Sequence, residues 1–296
     1  MEKQLRETAK RLLSDRTVDV VIGYGRLETG AIGPVFITDP DQTDQLVWNT
    51  ECHQNLIVYL TRKETRPAGK AAVVVKGCDA RAAVVLVNES QLNREQFLLI
   101  GMVCSGMADQ KKAGNPSDLP LYAKCETCTA HAPTTVDILI GDPASAPAPL
   151  SKEDRMQKGN YAKLAKIKAL SPEDRLDFWK KEFSRCIKCY ACRQSCPICY
   201  CNRCVADKNR PIRIDTSSTL KGNFAWNILR AFHLAGRCVG CGACSAACPV
   251  GIDLDLLNLS LAIPAEEHFN FVSGSDWGTA PLIGTFSEED REDFIR

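Results

Sequence analysis

The sequence predicts two units: an α/β domain with a mainly parallel sheet, then an α-helical domain built around cysteine-rich loops. Three observations carry this. Apolar strand-like runs alternate with helical patterns as far as residue 142, which is the order that parallel sheets require. The stretch "GDPASAPAPLS" (141–151) is rich in Pro and Ala and reads as a linker. Beyond it, a unit of one helix followed by closely spaced cysteines occurs twice.

The elements follow in order. Residues 2–14 have the spacing of an amphipathic helix. "VDVVIGY" (18–24) reads as a buried strand, followed by the loop "GRLETGAIGP". "PVFITD" and "QLVW" are expected as short strands, and "HQNLIVYL" is a candidate helix. "KAAVVVKG" (70–77) is a β-branched strand ending in a turn, and "DARAAVVLVNE" after it has helical spacing. "FLLIGMV" (97–103) and "VDILIGD" (136–142) are two more apolar strands. In the second half, Ser171 as N-cap, Pro172 behind it and acids in the first turn open the helix of "SPEDRLDFWKKEF". "NFAWNILRAFHLAG" (223–236) is a second helix stopped by Gly236, and "PVGIDLDLLNLSLAI" a third. The expected units are 1–145 (α/β), 146–262 (helical) and 263–296, an aromatic tail expected to lie along this chain or a partner.

Lys and Arg total 37 against 36 Asp and Glu, a balance that gives no support for a nucleic-acid partner. No apolar run approaches the roughly 20 residues of a membrane span. The first residues, "MEKQLRETAKRLLSD", lack the apolar core of a signal peptide, so a cytoplasmic protein is expected. The outlier is cysteine, at 16. Cytosolic thiols stay reduced, which favours metal ligation over disulfides.

Cys186-x2-Cys189-x2-Cys192-x3-Cys196-Pro197 recurs as Cys238-x2-Cys241-x2-Cys244-x3-Cys248-Pro249. This is the bacterial ferredoxin run, in which three thiolates of one run and the fourth of the other hold each 4Fe-4S cube. The expected sets are Cys186, Cys189, Cys192 and Cys248, and Cys238, Cys241, Cys244 and Cys196. The second unit is thus expected as an α-helical dicluster ferredoxin-like domain with two adjacent cubes. A zinc site would use two C-x2-C pairs and leaves two complete runs, each ending in Cys-Pro, unexplained.

Cys78 and Cys104 each follow a strand, and Cys125 and Cys128 form "CETC". Strand ends of a parallel sheet converge on one edge, where four thiols would make a third 4Fe-4S site. The alternative is two buried structural cysteines beside a zinc half-site.

In order, "VDVVIGYGR", "VVVKGCDAR", "LIGMVCSGM" and "CETCTAHAPTTVDILIGD" resemble the beta subunits of deazaflavin-coenzyme (F-420) hydrogenases and dehydrogenases, formate dehydrogenase beta subunits included. The resemblance spans roughly residues 15–145. It implies that the four first-half cysteines bind an iron–sulfur cluster. Members that reduce the deazaflavin also bind FAD. The chain departs from the family in carrying its ferredoxin pair C-terminally, as do subunits that connect to heterodisulfide-reductase-like modules. "GYGRLETG" has glycines, but not at the spacing of a dinucleotide fingerprint, and reads as a surface turn.

Cys52, Cys199, Cys201 and Cys204 remain. "CYCNRC" offers three ligands at short spacing, and Cys52 could supply a fourth, giving a fourth cluster. Otherwise these cysteines form apolar wall around the other clusters. His53 and His131 adjoin suspected ligands and could tune a cluster by hydrogen bonding. His233 and His268 have no such neighbours. Asp79 is expected as a helix N-cap. Lys188 and Arg193 could steer an acidic partner or raise a cluster potential.

The expected function is non-catalytic electron transfer within an anaerobic oxidoreductase complex. The expected partners are a dehydrogenase or hydrogenase subunit on one side and a flavoprotein or heterodisulfide-reductase-like subunit on the other. The alternatives are an FAD-containing beta subunit passing hydride to a deazaflavin or nicotinamide coenzyme, and a free ferredoxin with an extra domain.

Overall fold

In the computed structural model, residues 1–114, 118–208, 210–284 and 288 are described. The first half is a five-stranded sheet: β1 (Val20–Arg26), β2 (Ile32–Ile37), β3 (Ala71–Val75), β4 (Phe97–Met102) and β5 (Ile138–Ile140). The strand order is β2-β1-β3-β4-β5. β1 and β2 form an antiparallel hairpin, and the other pairings are parallel. The mainly parallel sheet is as the sequence predicts. β3, "AAVVV", is buried throughout, as a central parallel strand must be.

Helix α1 (Glu2–Ser14) buries Leu5, Ala9, Leu12 and Leu13, one apolar stripe at helical spacing. The expected strand "QLVW" is not formed. Pro40–Gln45 is a 3-10 helix, and Leu46 makes only an isolated bridge to Gly25. Val47 N–H donates to the Tyr24 carbonyl, and Trp48 N–H to the Glu2 carboxylate at 3.0 Å. This segment closes over Gly23 and Gly25, where an added Cβ would collide with Leu46 and Val35. The glycines of "GYGRLETG" therefore serve close packing and, at Gly30 (φ +83°), a turn. The candidate helix "HQNLIVYL" shrinks to α2 (Val58–Thr61), because Asn55 Oδ1 takes the Ile57 N–H and Arg62 is already extended.

Helix α3 (Gly77–Asn88) follows β3 directly. Its N-cap is Lys76, not Asp79; Asp79 sits at the third helical position and accepts the Lys76 N–H at 3.2 Å. Val75 of β3 pairs with Gly101 of β4. The two chains that carry Cys78 and Cys104 therefore leave the sheet side by side at its carboxyl edge.

The second half is helical: α4 (Lys152–Met156), α5 (Gly159–Lys168), α6 (Pro172–Ser184), α7 (Ala191–Gln194), α8 (Leu220–Leu234), α9 (Ala243–Ala246) and α10 (Leu254–Phe269). Ser171 caps α6 by accepting the Asp174 N–H at 3.1 Å. Gly236 (φ +65°) follows α8. α10 continues through Pro264 to Phe269, past the expected start of the tail at 263. The described tail then returns along α3. Gly274 lies on the Arg81 carbonyl, and Asn88 Nδ2 donates to the carbonyls of Asp276 and Thr279 at 3.1 and 2.9 Å. Residues 285–287 and 289–296 lie outside the described residues.

The halves share one core. Cys196, Ile198 and Leu234 belong to the same buried cluster as the sheet. Cations of the first half cross to carbonyls of the cysteine loops: Arg62 to Arg193 O at 2.8 Å, Lys111 to Cys248 O at 3.0 Å, and Lys124 to Cys241 O. These carbonyls lie in or beside the turns around α7 and α9, so the three cations tie the first half to the cysteine loops. Arg237 forks onto Glu89 at 2.5 and 2.6 Å and adds an ionic tie. No helix among the described residues is long and apolar enough to cross a membrane.

Candidate metal centres

The two ferredoxin runs fold alike. In the first, Lys188 (φ +56°) and Tyr190 (φ +58°) are left-handed; in the second, Gly240 (φ +67°) and Gly242 (φ +65°) occupy the same positions. A left-handed residue on each side of the second cysteine turns its loop, and α7 and α9 then begin one residue before Cys192 and Cys244. Left-handed backbone costs a residue with a Cβ about 1–2 kcal/mol. The first run holds two such residues in the geometry that glycine adopts freely in the second.

The thiols that act on Cys192, Cys238 and Cys244 come from both runs. Burial raises the Cys192 thiol, Arg230 opposes this, and the thiols of Cys186, Cys248 and Cys189 raise it further. Burial pushes Cys238 up to about 12, with Cys241 and Cys196 adding to it. Burial also raises Cys244, with Cys196 and Cys238 among its neighbours. Cys248 thus keeps company with the first run and Cys196 with the second. Backbone donors point at the sulfurs, as Ile252 N–H does at Cys248 Sγ, 3.4 Å away. Asn258 Nδ2 donates to Cys244 Sγ at 3.8 Å.

In the first half, Cys78, Cys104, Cys125 and Cys128 line one cavity with Lys76, Lys124 and His131. Gly106 N–H donates to Cys104 Sγ at 3.4 Å, Met107 N–H to Cys125 Sγ at 3.4 Å, and Ala130 N–H to Cys128 Sγ at 3.3 Å. Burial pushes Cys104 up to about 11 and raises Cys78 and Cys128. His131 acts through the backbone: its Nδ1 lies 2.7 Å from the Cys104 carbonyl, and Cys104 N–H donates to the His131 carbonyl at 2.8 Å. Gly77 meets the "CETC" loop so closely that an added Cβ would strike the Ala130 carbonyl. In the cavity wall Lys76 is 2.7 Å from Asp79 Oδ2, with 2% and 0% of the side chains exposed. Its Nζ also donates to Tyr24 Oη at 2.6 Å and to the Cys52 carbonyl at 2.9 Å.

These donor sets fit 4Fe-4S cubes. Each offers four soft thiols and N–H groups aimed at sulfur, and all these thiols but Cys189 are at least partly buried, the features that hold such clusters and set their potentials. Burial keeps most of the metal-free thiols protonated, so loading releases protons. Among the described residues, no three His, Cys, Asp or Glu side chains converge closely enough to hold a single metal ion. The first-half thiols stand around a cavity, which suits the corners of a cube better than a shared zinc.

The leftover thiols divide. Cys199, Cys201 and Cys204 line a common cavity with Arg193, Arg230 and Arg237. Cys199 is hydrogen-bonded to Cys196, and that bond, with Arg230 beside it, draws it down to about 7. Cys52 is elsewhere. It is fully buried in the α/β core, its Sγ 3.8 Å from the Val47 carbonyl and 3.5 Å from Asn49 N, and burial pushes it up to about 11. His53 turns its Nδ1 to the Glu51 carbonyl at 3.0 Å. His233 and His268 are exposed. Lys188 Nζ donates to the Asp215 carbonyl at 2.8 Å, and Arg193 pairs with Asp207 at 2.7 Å. Lys124 and Arg230, discussed below, carry no spacing signal and are not singled out by the sequence.

Residues 182–252 match the family described as 4Fe-4S dicluster domain. The chain is 24% identical to the F420-dependent formate dehydrogenase subunit beta of Methanocaldococcus jannaschii, over 93% of this chain and 92% of that protein. It is 22% identical to the F420-dependent formate dehydrogenase 1 subunit beta of Methanococcus maripaludis, over 76% of this chain and 78% of that one. The resemblance drawn from residues 15–145 thus extends over most of the chain.

Proposed function

We propose that this relative of formate dehydrogenase beta subunits, with its 4Fe-4S dicluster domain, is an electron-transfer subunit holding three 4Fe-4S centres. When bound, such cubes supply one-electron storage and transfer. The chain's own part is to hold them in series, exclude water and bias their potentials. The first-half centre belongs to Cys78, Cys104, Cys125 and Cys128. The middle centre belongs to Cys196, Cys238, Cys241 and Cys244, and the outer one to Cys186, Cys189, Cys192 and Cys248. The observation that carries this reading is the continuity of the sets. Cys78 and Cys128 share a cavity wall with Cys238, and Arg230 acts on both Cys192 and Cys244. In the outer set Cys189 is exposed, which suits exchange with a partner at that end.

Cys199, Cys201 and Cys204 supply three thiols around one cavity without Cys52, so the proposal stops at three centres. The names of the relatives support a multi-subunit oxidoreductase as the setting. A dehydrogenase or hydrogenase subunit would sit at one end and a flavoprotein or heterodisulfide-reductase-like subunit at the other, in the cytoplasm. A second reading is a beta subunit that binds FAD and passes hydride to a deazaflavin or nicotinamide coenzyme. It is favoured by a cavity of about 420 Å³ between the first-half and middle sets, lined by Arg81, Lys124, Arg155, Tyr161 and Phe271. That size and its mixed polar and aromatic wall suit a redox-active ring. The optical spectrum of the anaerobically purified chain separates the two. A broad iron–sulfur absorbance that bleaches on reduction, without flavin bands, is expected. Stoichiometric released FAD would put the second reading first.

A further inference from the structure

We infer that Lys124 and Arg230 are fixed cations in the two gaps between successive centres, each setting the potentials of the pair it separates. The inference rests on the three-centre reading above.

Arg230, on α8, is 4% exposed. Its Nη2 donates to the Cys192 carbonyl at 3.1 Å, and its Nε has no hydrogen-bond partner among the described residues. The groups whose charges act on it are the thiols of Cys244, Cys199, Cys196 and Cys192, which belong to both ferredoxin-type sets and to the leftover trio. No carboxylate pairs with it among the described residues. A buried guanidinium without a counter-charge is strongly destabilising. Its counter-charge is therefore the sulfur-rich surround, which becomes anionic when thiolates bind iron.

Lys124 spans the other gap. It lines the first-half cavity with Cys78, Cys125 and Cys128, and its Nζ donates to the Cys241 carbonyl in the middle set. It too has no carboxylate partner among the described residues. Its stem crosses Gly242, where a Cβ would lie 2.5 Å from Lys124 Cδ. This accounts for a difference between the two runs. The outer run tolerates Tyr190 at the left-handed position that the middle run must leave as Gly242, because the lysine crosses only there.

Adjacent anionic cubes repel an added electron. A positive charge held between two of them in a low dielectric stabilises the reduced form of both. No proton moves and no bond changes; one electron passes from a reduced centre to its oxidised neighbour. A donor that releases electrons in pairs can then fill neighbouring centres together.

The test is a redox titration of the anaerobic full-length chain followed by electron paramagnetic resonance, with iron counted in every sample. Arg230→Met is expected to lower the potentials of the middle and outer centres and leave the first-half centre unchanged. Lys124→Met is expected to lower the first-half and middle centres and leave the outer one unchanged. The middle centre alone responds to both. Arg230→Lys and Lys124→Arg are expected to restore most of each shift, and they carry the test if a Met variant loses iron. Equal shifts in all three centres, or none at wild-type iron content, would overturn the inference. A wild-type chain lacking the first-half centre would overturn the function proposed above instead.

Discussion

Cys248→Ala is expected to remove the outer centre, the one built on the first run, although Cys248 lies in the second. The reason is the company this thiol keeps: it is grouped with Cys186, Cys189 and Cys192, while Cys196 has crossed to Cys238, Cys241 and Cys244. The expected loss is about four irons per chain. The residual magnetic resonance spectrum should match that of Cys189→Ala and differ from that of Cys241→Ala. A spectrum matching Cys241→Ala would mean that each run binds its own cube. Removing a ligand also strands the buried Cys192 thiol, so some loss of folded protein is expected alongside the iron.

Asp79→Ala is expected to cost about 3–5 kcal/mol, because it leaves a buried ammonium without its counter-charge. Burial alone lowers the affinity of Lys76 for its proton, yet the group is held above its ordinary value, chiefly by Asp79. Without that carboxylate, the desolvation penalty stands unopposed. The Asp79 carboxylate also closes the first turn of α3, the turn that carries Cys78. Chemical denaturation followed by circular dichroism should show the loss in the single variant. The double variant Lys76→Met, Asp79→Leu should lose much less, since it removes both charges. Equal losses in the two would mean that the pair is worth no more than its packing.

These expectations depend on residues of unequal visibility in the sequence. The ferredoxin runs were legible because a cube demands tight, repeated spacing, and Ser171 because an N-cap is a local event. The strands around Ala71–Val75 and Phe97–Met102 were legible because buried parallel strands read as β-branched or apolar runs. "QLVW" does not form a strand because Leu46 packs against the hairpin with a single bridge to Gly25 and Val47 and Trp48 are only partly buried. "HQNLIVYL" was overextended because Asn55 competes for the backbone at the helix start. Asp79 stands three positions inside the helix rather than at its cap, since nothing local marks Lys76 as a cap. Lys124 and Arg230 were invisible for a different reason. Each matters only through what the fold brings against it, Gly242 and Cys241 for one and Cys192 and Cys244 for the other. Cys52 shows the converse: the count of 16 invites four sets of four, and Cys52 does not line the cavity that Cys199, Cys201 and Cys204 share.

Three centres require that the first half hold one of its own, in series with the ferredoxin pair. Iron and acid-labile sulfide per chain, measured on anaerobically purified protein, test it most directly. About 12 of each is expected, four for every complete thiol set. About 8 would contradict it, leaving Cys78, Cys104, Cys125 and Cys128 as structural thiols and the ferredoxin pair alone.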